Sequence, residues 1–171
     1  MLLRTRTAVT RNAAKTPPMA GLPANEGLRL DNQMCFALYS ASLTMTKVYK
    51  PLLKKFDLTY PQYLVMLVLW EQDKRSVSEL GECLFLDSGT LTPLLKRLEA
   101  LTYIARTRDA ADERRLIVAL TAAGRRLQKQ SLAVPQRIAC ATECSLPELK
   151  SLTKQLSELR AALIRSTGST T

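Results

Sequence analysis

The chain has 171 residues, 46% of them apolar, and its 25 lysines and arginines outnumber 15 aspartates and glutamates for a net charge of +10. That is enough for one domain with a core and terminal helices, and the charge favours a polyanionic partner. Histidine is absent, which excludes serine-histidine triads and histidine-containing zinc sites, and no run of about 18 apolar residues offers a membrane-spanning helix.

Residues 1–27 carry Arg4, Arg6, Arg11, Lys15 and three prolines, with no acid before Glu26. Lacking the apolar core of a secretory signal, the stretch is expected to be a disordered leader or the product of an upstream start, with Met19 as the true one. An N-terminal helix is expected over 28–56, capped by Asp31, running through Met34, Phe36 and Leu38 toward Phe56 and bent at Pro51. Thr59-Tyr60-Pro61-Gln62 has the form of a capping box with proline at the first helical position, opening a buried helix from Tyr63 to Trp70. Ser76-Val77-Ser78-Glu79 opens a short helix through Leu80 and Leu84 in the same way. Leu91, Leu94, Leu95, Leu98 and Leu101 then fall at helical spacing, leaving Ser88, Thr90, Lys96 and Arg97 for solvent or a ligand. Tyr103 to Arg108 and Arg114 to Leu120 predict two strands around a charged turn. Thr121 is expected to cap a helix to about Cys140, and Ser145-Leu146-Pro147-Glu148 to open the last one.

Two helices joined by a tight turn and followed by an arginine-tipped ribbon suit duplex DNA, a rod for the major groove and an arm for the backbone or minor groove. The fold expected is therefore mainly α with a small β-wing. A winged helix-turn-helix domain (57–121) lies between an N-terminal sensing and dimerisation helix (28–56) and C-terminal dimerisation helices (122–166), with a tail at 167–171. Ser88, Thr90, Lys96 and Arg97 are the candidates for the groove, and Arg106, Arg108, Arg114 and Arg115 for the wing, with Asp112 as an alternative hold on Arg114. Between Lys74 and Arg115 eight cations face seven anions, so local placement rather than bulk charge must make the footprint. The terminal helices have apolar stripes with no core of their own to cover, which predicts a homodimer whose two-fold axis presents two recognition helices to two half-sites.

There are four cysteines, Cys35, Cys83, Cys140 and Cys144, and no paired C-x-x-C knuckles, so neither a metal nor another cofactor is expected. Cys83, between Leu80 and Leu84, is read as a buried small apolar residue. Cys140 and Cys144 would share one helical face if the helix continued through both. Cys35 falls in the first turn of its helix, where free peptide N–H groups favour a thiolate, with Tyr39, Tyr49, Tyr60 and Tyr63 following within 28 residues. From the residues alone, a reactive thiol and a core cysteine among core tyrosines stand even.

The segments Leu30-Asp31-Asn32-Gln33-Met34-Cys35-Phe36-Ala37-Leu38-Tyr39, Met45 to Leu53, Thr59-Tyr60-Pro61-Gln62-Tyr63 and Leu86-Asp87-Ser88-Gly89-Thr90-Leu91-Thr92-Pro93 resemble the organic-hydroperoxide-sensing repressors (OhrR) of the MarR family, two-cysteine type. The less specific MarR signature is met by Asp112-Glu113-Arg114 and Thr121-Ala122-Ala123-Gly124, and the resemblance covers roughly residues 28 to 165. It implies a cytoplasmic, non-enzymatic repressor whose Cys35 is oxidised by organic hydroperoxide to a sulfenic acid. By the same resemblance Tyr49 and Tyr60 support that sulfur from the partner subunit, with Tyr39 as a further candidate, and Cys140 closes an intersubunit disulfide, with Cys144 as runner-up. Double-stranded operator DNA, a second copy of the chain and the hydroperoxide are the expected partners, and no membrane. Glycine often follows the recognition helix in the family, where Thr102 stands here. Two other functions fit parts of the pattern: a MarR-type regulator binding an aromatic effector near Phe36, Tyr39 and Tyr60, and a thiol peroxidase, which would leave Lys96, Arg97 and Arg114 unexplained.

Overall fold

The computed structural model describes residues 25–168; the expectations for the leader before residue 25 and for most of the 167–171 tail lie outside that range. The chain divides into two compact units, one ending at Ser42 and one beginning at Leu43. The first contains two 3-10 turns, Glu26–Leu28 and Leu30–Asn32, and the start of α1 (Met34–Lys54). Asp31 does not cap α1 as expected. It lies inside the second turn, three residues before the helix, and its carboxylate meets Arg29 at 3.6 Å. Gln33 occupies the position before the helix instead, and its amide donates to the carbonyls of Gly27 and Arg29. Pro51 lies within α1, which stops at Lys54 rather than Phe56.

In the second unit, α2 (Tyr60–Glu71) opens on the expected capping box, Thr59 N–H donating to Gln62 Oε1 at 2.8 Å. Ser76 and Glu79 form the reciprocal pair that opens α3 (Val77–Leu84), at 3.2 and 2.7 Å. Phe85, with φ of 56°, turns the chain into α4 (Ser88–Ala100), whose cap Asp87 accepts from the Thr90 N–H at 2.9 Å. Leu91, Leu95 and Leu98 of α4 pack with Leu53, Met66, Leu69 and Leu80 into one core, all essentially inaccessible to solvent.

Strands β2 (Ile104–Arg108) and β3 (Leu116–Leu120) pair antiparallel, Ile104 opposite Leu120 and Arg108 opposite Leu116. A strand that sequence reading missed, β1 (Arg75–Ser76), pairs with the other edge of β3 to give the order β1-β3-β2. Two residues leave no periodicity to detect; tertiary docking alone makes them a strand.

The single helix expected from Thr121 to Cys140 is two: α5 (Ala122–Gln130) and α6 (Ala133–Ala141). Pro135 has no N–H to give the Ser131 carbonyl, which accepts from Val134 at 2.9 Å instead, tightening the chain into a turn. The last helix, α7 (Leu146–Gly168), buries none of its described side chains. The helices and small three-stranded sheet compose the expected winged helix-turn-helix with helical extensions.

Candidate redox centre and nucleic-acid interface

Cys35 is the second residue of α1 and its thiol is free and exposed. At that position the first backbone N–H groups of the helix have no intrahelical acceptor. Tyr39 stands one turn further on the same helix and is 62% exposed.

Tyr49 and Tyr60 are brought together in the second unit, their ring centroids 4.4 Å apart, and Tyr63 joins them at 5.9 Å from Tyr49. Burial, reinforced by the neighbouring Tyr60 and Tyr63, pushes the Tyr49 phenol up to about 12, and burial raises Tyr60 and Tyr63 as well. All three hydroxyls are therefore protonated donors near neutrality. Sequence reading left Tyr63 outside the candidate set; it is buried and also packs edge-on against Trp70.

Beside Tyr60 is a cavity of about 420 Å3, lined by Lys47, Lys50 and Lys54 of α1 with Asp57, Leu58, Tyr60 and Pro61. Its cationic wall was visible in the sequence as lysines at i, i+3 and i+7, one face of a helix.

The other cysteines are free and exposed too. That corrects the reading of Cys83 as core: on α3 it is Leu80 that faces inward, while Cys83 looks to solvent. Cys140 lies in the last turn of α6. The helix does not carry on to Cys144, because Glu143 adopts φ of 54° and reverses the chain. The two sulfurs thus do not share a helical face; the Cys144 S–H donates instead to the Thr142 carbonyl at 3.2 Å.

The candidate DNA-facing residues fall into two groups. Ser88 and Thr90 sit in the first turn of α4, the Thr90 hydroxyl donating to Asp87 at 2.8 Å, and Lys96 is exposed further along. Thr90's N–H and hydroxyl hold the Asp87 carboxyl below its usual range. Lys96 and Arg114 have no carboxylate in ion-pair reach among the described residues. The remaining cations are engaged. Arg97 pairs with Asp57 in the turn between α1 and α2. Arg106 makes a three-point attachment to Glu99 of α4, whose carboxyl its guanidinium holds low. Arg108 donates to the Glu113 carbonyl at 3.1 Å, and Arg115 lies 4.0 Å from Glu79. Asp112 accepts the Arg114 backbone N–H at 3.0 Å and makes no ion pair with its guanidinium, which borders a depression of about 230 Å3 shared with Ser78, Thr92, Arg106 and Arg115. Spacing identified every one of these cations, but not which would find a carboxylate, since Asp57 is 40 residues from Arg97.

Among the described residues no cluster of cysteines and carboxylates could hold a metal ion, and no helix is long and apolar enough to cross a membrane.

Comparison with known proteins places this arrangement. The family described as transcriptional regulator SarA/Rot matches residues 47–131. The HTH-type transcriptional regulator TtmR of Methylorubrum extorquens (strain PA1) is 48% identical over 141 residues, 82% of this chain and 72% of its own length. The organic hydroperoxide resistance transcriptional regulator of Bacillus subtilis (strain 168) is 46% identical over 136 residues, 80% of this chain and 92% of its own. Of solved structures, reduced AbfR bound to DNA, a Staphylococcus epidermidis protein, matches with a TM-score of 0.67 at 39% identity, over 82% of this chain and 98% of that one. Its disulfide form matches with a TM-score of 0.56 at 40% identity, over 79% and 95%. With the exposed Cys35 thiol, the tyrosine cluster and the winged helix-turn-helix on one chain, the protein belongs to the MarR-type family of transcriptional regulators that contains the Bacillus organic hydroperoxide resistance regulator.

Proposed function

We propose that the protein is a redox-sensing repressor that binds operator DNA as a homodimer while Cys35 is reduced. An organic hydroperoxide oxidises Cys35 to a sulfenic acid, which condenses with Cys140 of the partner subunit, and the DNA is released. The observation that carries this reading is the free, exposed thiol in the first turn of α1, on a chain whose other unit is a helix-turn-helix with an arginine-bearing wing. Two relatives support it: the Bacillus regulator by its named role in hydroperoxide resistance, and AbfR by its DNA-bound reduced form and its disulfide form.

In this reading the protonated phenols of Tyr49 and Tyr60, reaching over from the partner subunit, donate to the sulfur anion without adding charge, and Tyr39 lies one turn from it. Cys140 serves as resolving thiol in preference to Cys144, which is turned onto the Thr142 carbonyl. Ser88, Thr90, Lys96 and Arg114 contact DNA. Arg97, Arg106, Arg108 and Arg115, engaged within the protein, position α4 and the wing and add positive potential.

The test is fluorescence anisotropy of the reduced protein on a duplex selected from a random-sequence library, before and after cumene hydroperoxide. Cys35→Ser should bind like wild type and ignore the peroxide; its full release by peroxide would overturn the proposal. Tyr49→Phe and Tyr60→Phe should slow the response, and Cys140→Ser should give no covalent dimer on a non-reducing gel.

The cavity walled by Lys47, Lys50 and Lys54 favours a second reading, a MarR-type regulator released by an aromatic carboxylate. Saturable release of DNA from Cys35→Ser by benzoate, with no response to peroxide, would favour it.

A further inference from the structure

We infer that Cys140 and Cys144 form a dithiol that ends the oxidation by closing an intrachain disulfide and setting Cys35 free again; the inference rests on the intersubunit disulfide proposed above. Three observations on the end of α6 carry it. Both thiols are free and exposed, so each is open to oxidation and exchange. The chain between them is folded back: Thr142 ends the helix with its N–H on the Ile138 carbonyl, the Glu143 N–H reaches the Cys140 carbonyl at 3.3 Å, and Glu143 takes a left-handed φ of 54°. Finally, the Cys144 S–H donates to the carbonyl of Thr142 at 3.2 Å, the residue that caps the helix carrying Cys140. A disulfide requires the two Cβ atoms to come within about 3.5–4.5 Å, and the chain between the thiols is free of the helical geometry that would fix their spacing. Thr142–Ser145, which lies outside any helix, is the segment that moves to bring them there.

The electrons balance with the hydroperoxide as oxidant. Cys35 thiolate attacks the peroxide, the O–O bond breaks, and the products are the sulfenic acid and an alcohol. Condensation with the Cys140 thiol forms the Cys35–Cys140 bond and releases water. The Cys144 thiolate then attacks the Cys140 sulfur; the new S–S bond forms as the old one breaks, and Cys35 leaves as the thiolate. The net reaction is one hydroperoxide reduced to alcohol and water and one dithiol oxidised to the Cys140–Cys144 disulfide. Attack by a sulfur four residues away proceeds at the high effective concentration of an intramolecular reaction, so the covalent dimer is a transient that decays with no external thiol present.

The experiment treats the full chain with one equivalent of cumene hydroperoxide per Cys35, without reductant, and samples it on non-reducing gels and by mass spectrometry. Trypsin gives one peptide, Ile138–Lys150, holding both cysteines, and a separate peptide, Leu30–Lys47, holding Cys35. In wild type the dimer band should rise and fall while Ile138–Lys150 appears lighter by two hydrogens. In Cys144→Ser the dimer should persist at least about tenfold longer, with Leu30–Lys47 still linked to the Cys140 peptide. A wild-type dimer as lasting as that of Cys144→Ser, with no mass loss in Ile138–Lys150, overturns the relay and leaves the intersubunit disulfide standing. No dimer band and no linked peptides in either protein overturns the intersubunit disulfide itself, and the relay with it.

Discussion

Thr102 holds φ of 61°, a region that a β-branched side chain enters at a cost of about 1–2 kcal/mol. The position demands it, because the Thr102 N–H bonds to the Glu99 carbonyl at 2.8 Å and the Tyr103 N–H to Leu98 at 3.1 Å, the paired bonds of a Schellman ending. The sequence marked this site as one where glycine would be at home but left the end of α4 unsettled; the hydrogen bonds settle it. Thr102→Gly should relieve the strain, stabilise by about 1 kcal/mol and raise the thermal midpoint by about 2–4 °C, as read by calorimetry. A second residue-scale expectation concerns Tyr49, whose folded phenol is pushed to about 12 while the unfolded one titrates at 10.0. A folded pKa above the unfolded one gives stability that is complete below pH 10 and is lost as pH rises toward 12. The guanidinium unfolding midpoint should fall across that window, and less steeply in Tyr49→Phe.

Packing of α5 against the base of the wing depends on one close approach. A Cβ on Gly124 would lie 2.1 Å from the Tyr103 carbonyl oxygen, and the Gly124 carbonyl accepts the Trp70 indole N–H at 3.0 Å. Gly124→Ala should destabilise by about 1–3 kcal/mol in chemical denaturation. Asp73 ties the end of α2 to the wing in a similar way: it accepts the Leu120 N–H at 2.8 Å and pairs with Arg125 at 2.7 Å. Desolvation raises its carboxyl, but the backbone N–H groups of Leu120 and Lys74 and the Arg125 guanidinium more than offset this, so it titrates below 3.8. A depressed carboxylate contributes stability present above the ordinary value and lost as pH falls through the lowered one. Asp73→Ala should cost about 1.5–3 kcal/mol at neutral pH and flatten the acid limb of the stability curve.

At the scale of the molecule, α7 leaves Leu152, Leu156 and Leu163 at 40% exposure or more, and the first unit leaves Met34 and Phe36 likewise open. Apolar surface of this extent at helical spacing calls for a partner, so light scattering on the reduced protein should give twice the 19.0 kDa chain mass. Operator affinity should fall steeply with salt as phosphate contacts release counterions. Arg114→Ala should lower the slope of log affinity against log salt by about one, and Arg97→Ala should act chiefly on stability, through loss of the Asp57 tie.

The sequence alone carries the winged helix-turn-helix and its helical flanks, because capping residues, apolar periodicity and the charged turn are local and agree with one another. It also singled out Cys35 and the tyrosines, through a resemblance carried by residue identities rather than by spacing. Folding settled what depends on distant partners. Arg97 and Arg106 are held by carboxylates while Lys96 and Arg114 are not, two residues before α3 become a strand at the edge of β3, and Tyr63 joins Tyr49 and Tyr60. It decided as well that Cys83 faces solvent and that the chain turns between Cys140 and Cys144, since burial and helix termination are settled by what packs against a segment and by where its backbone hydrogen bonds find acceptors.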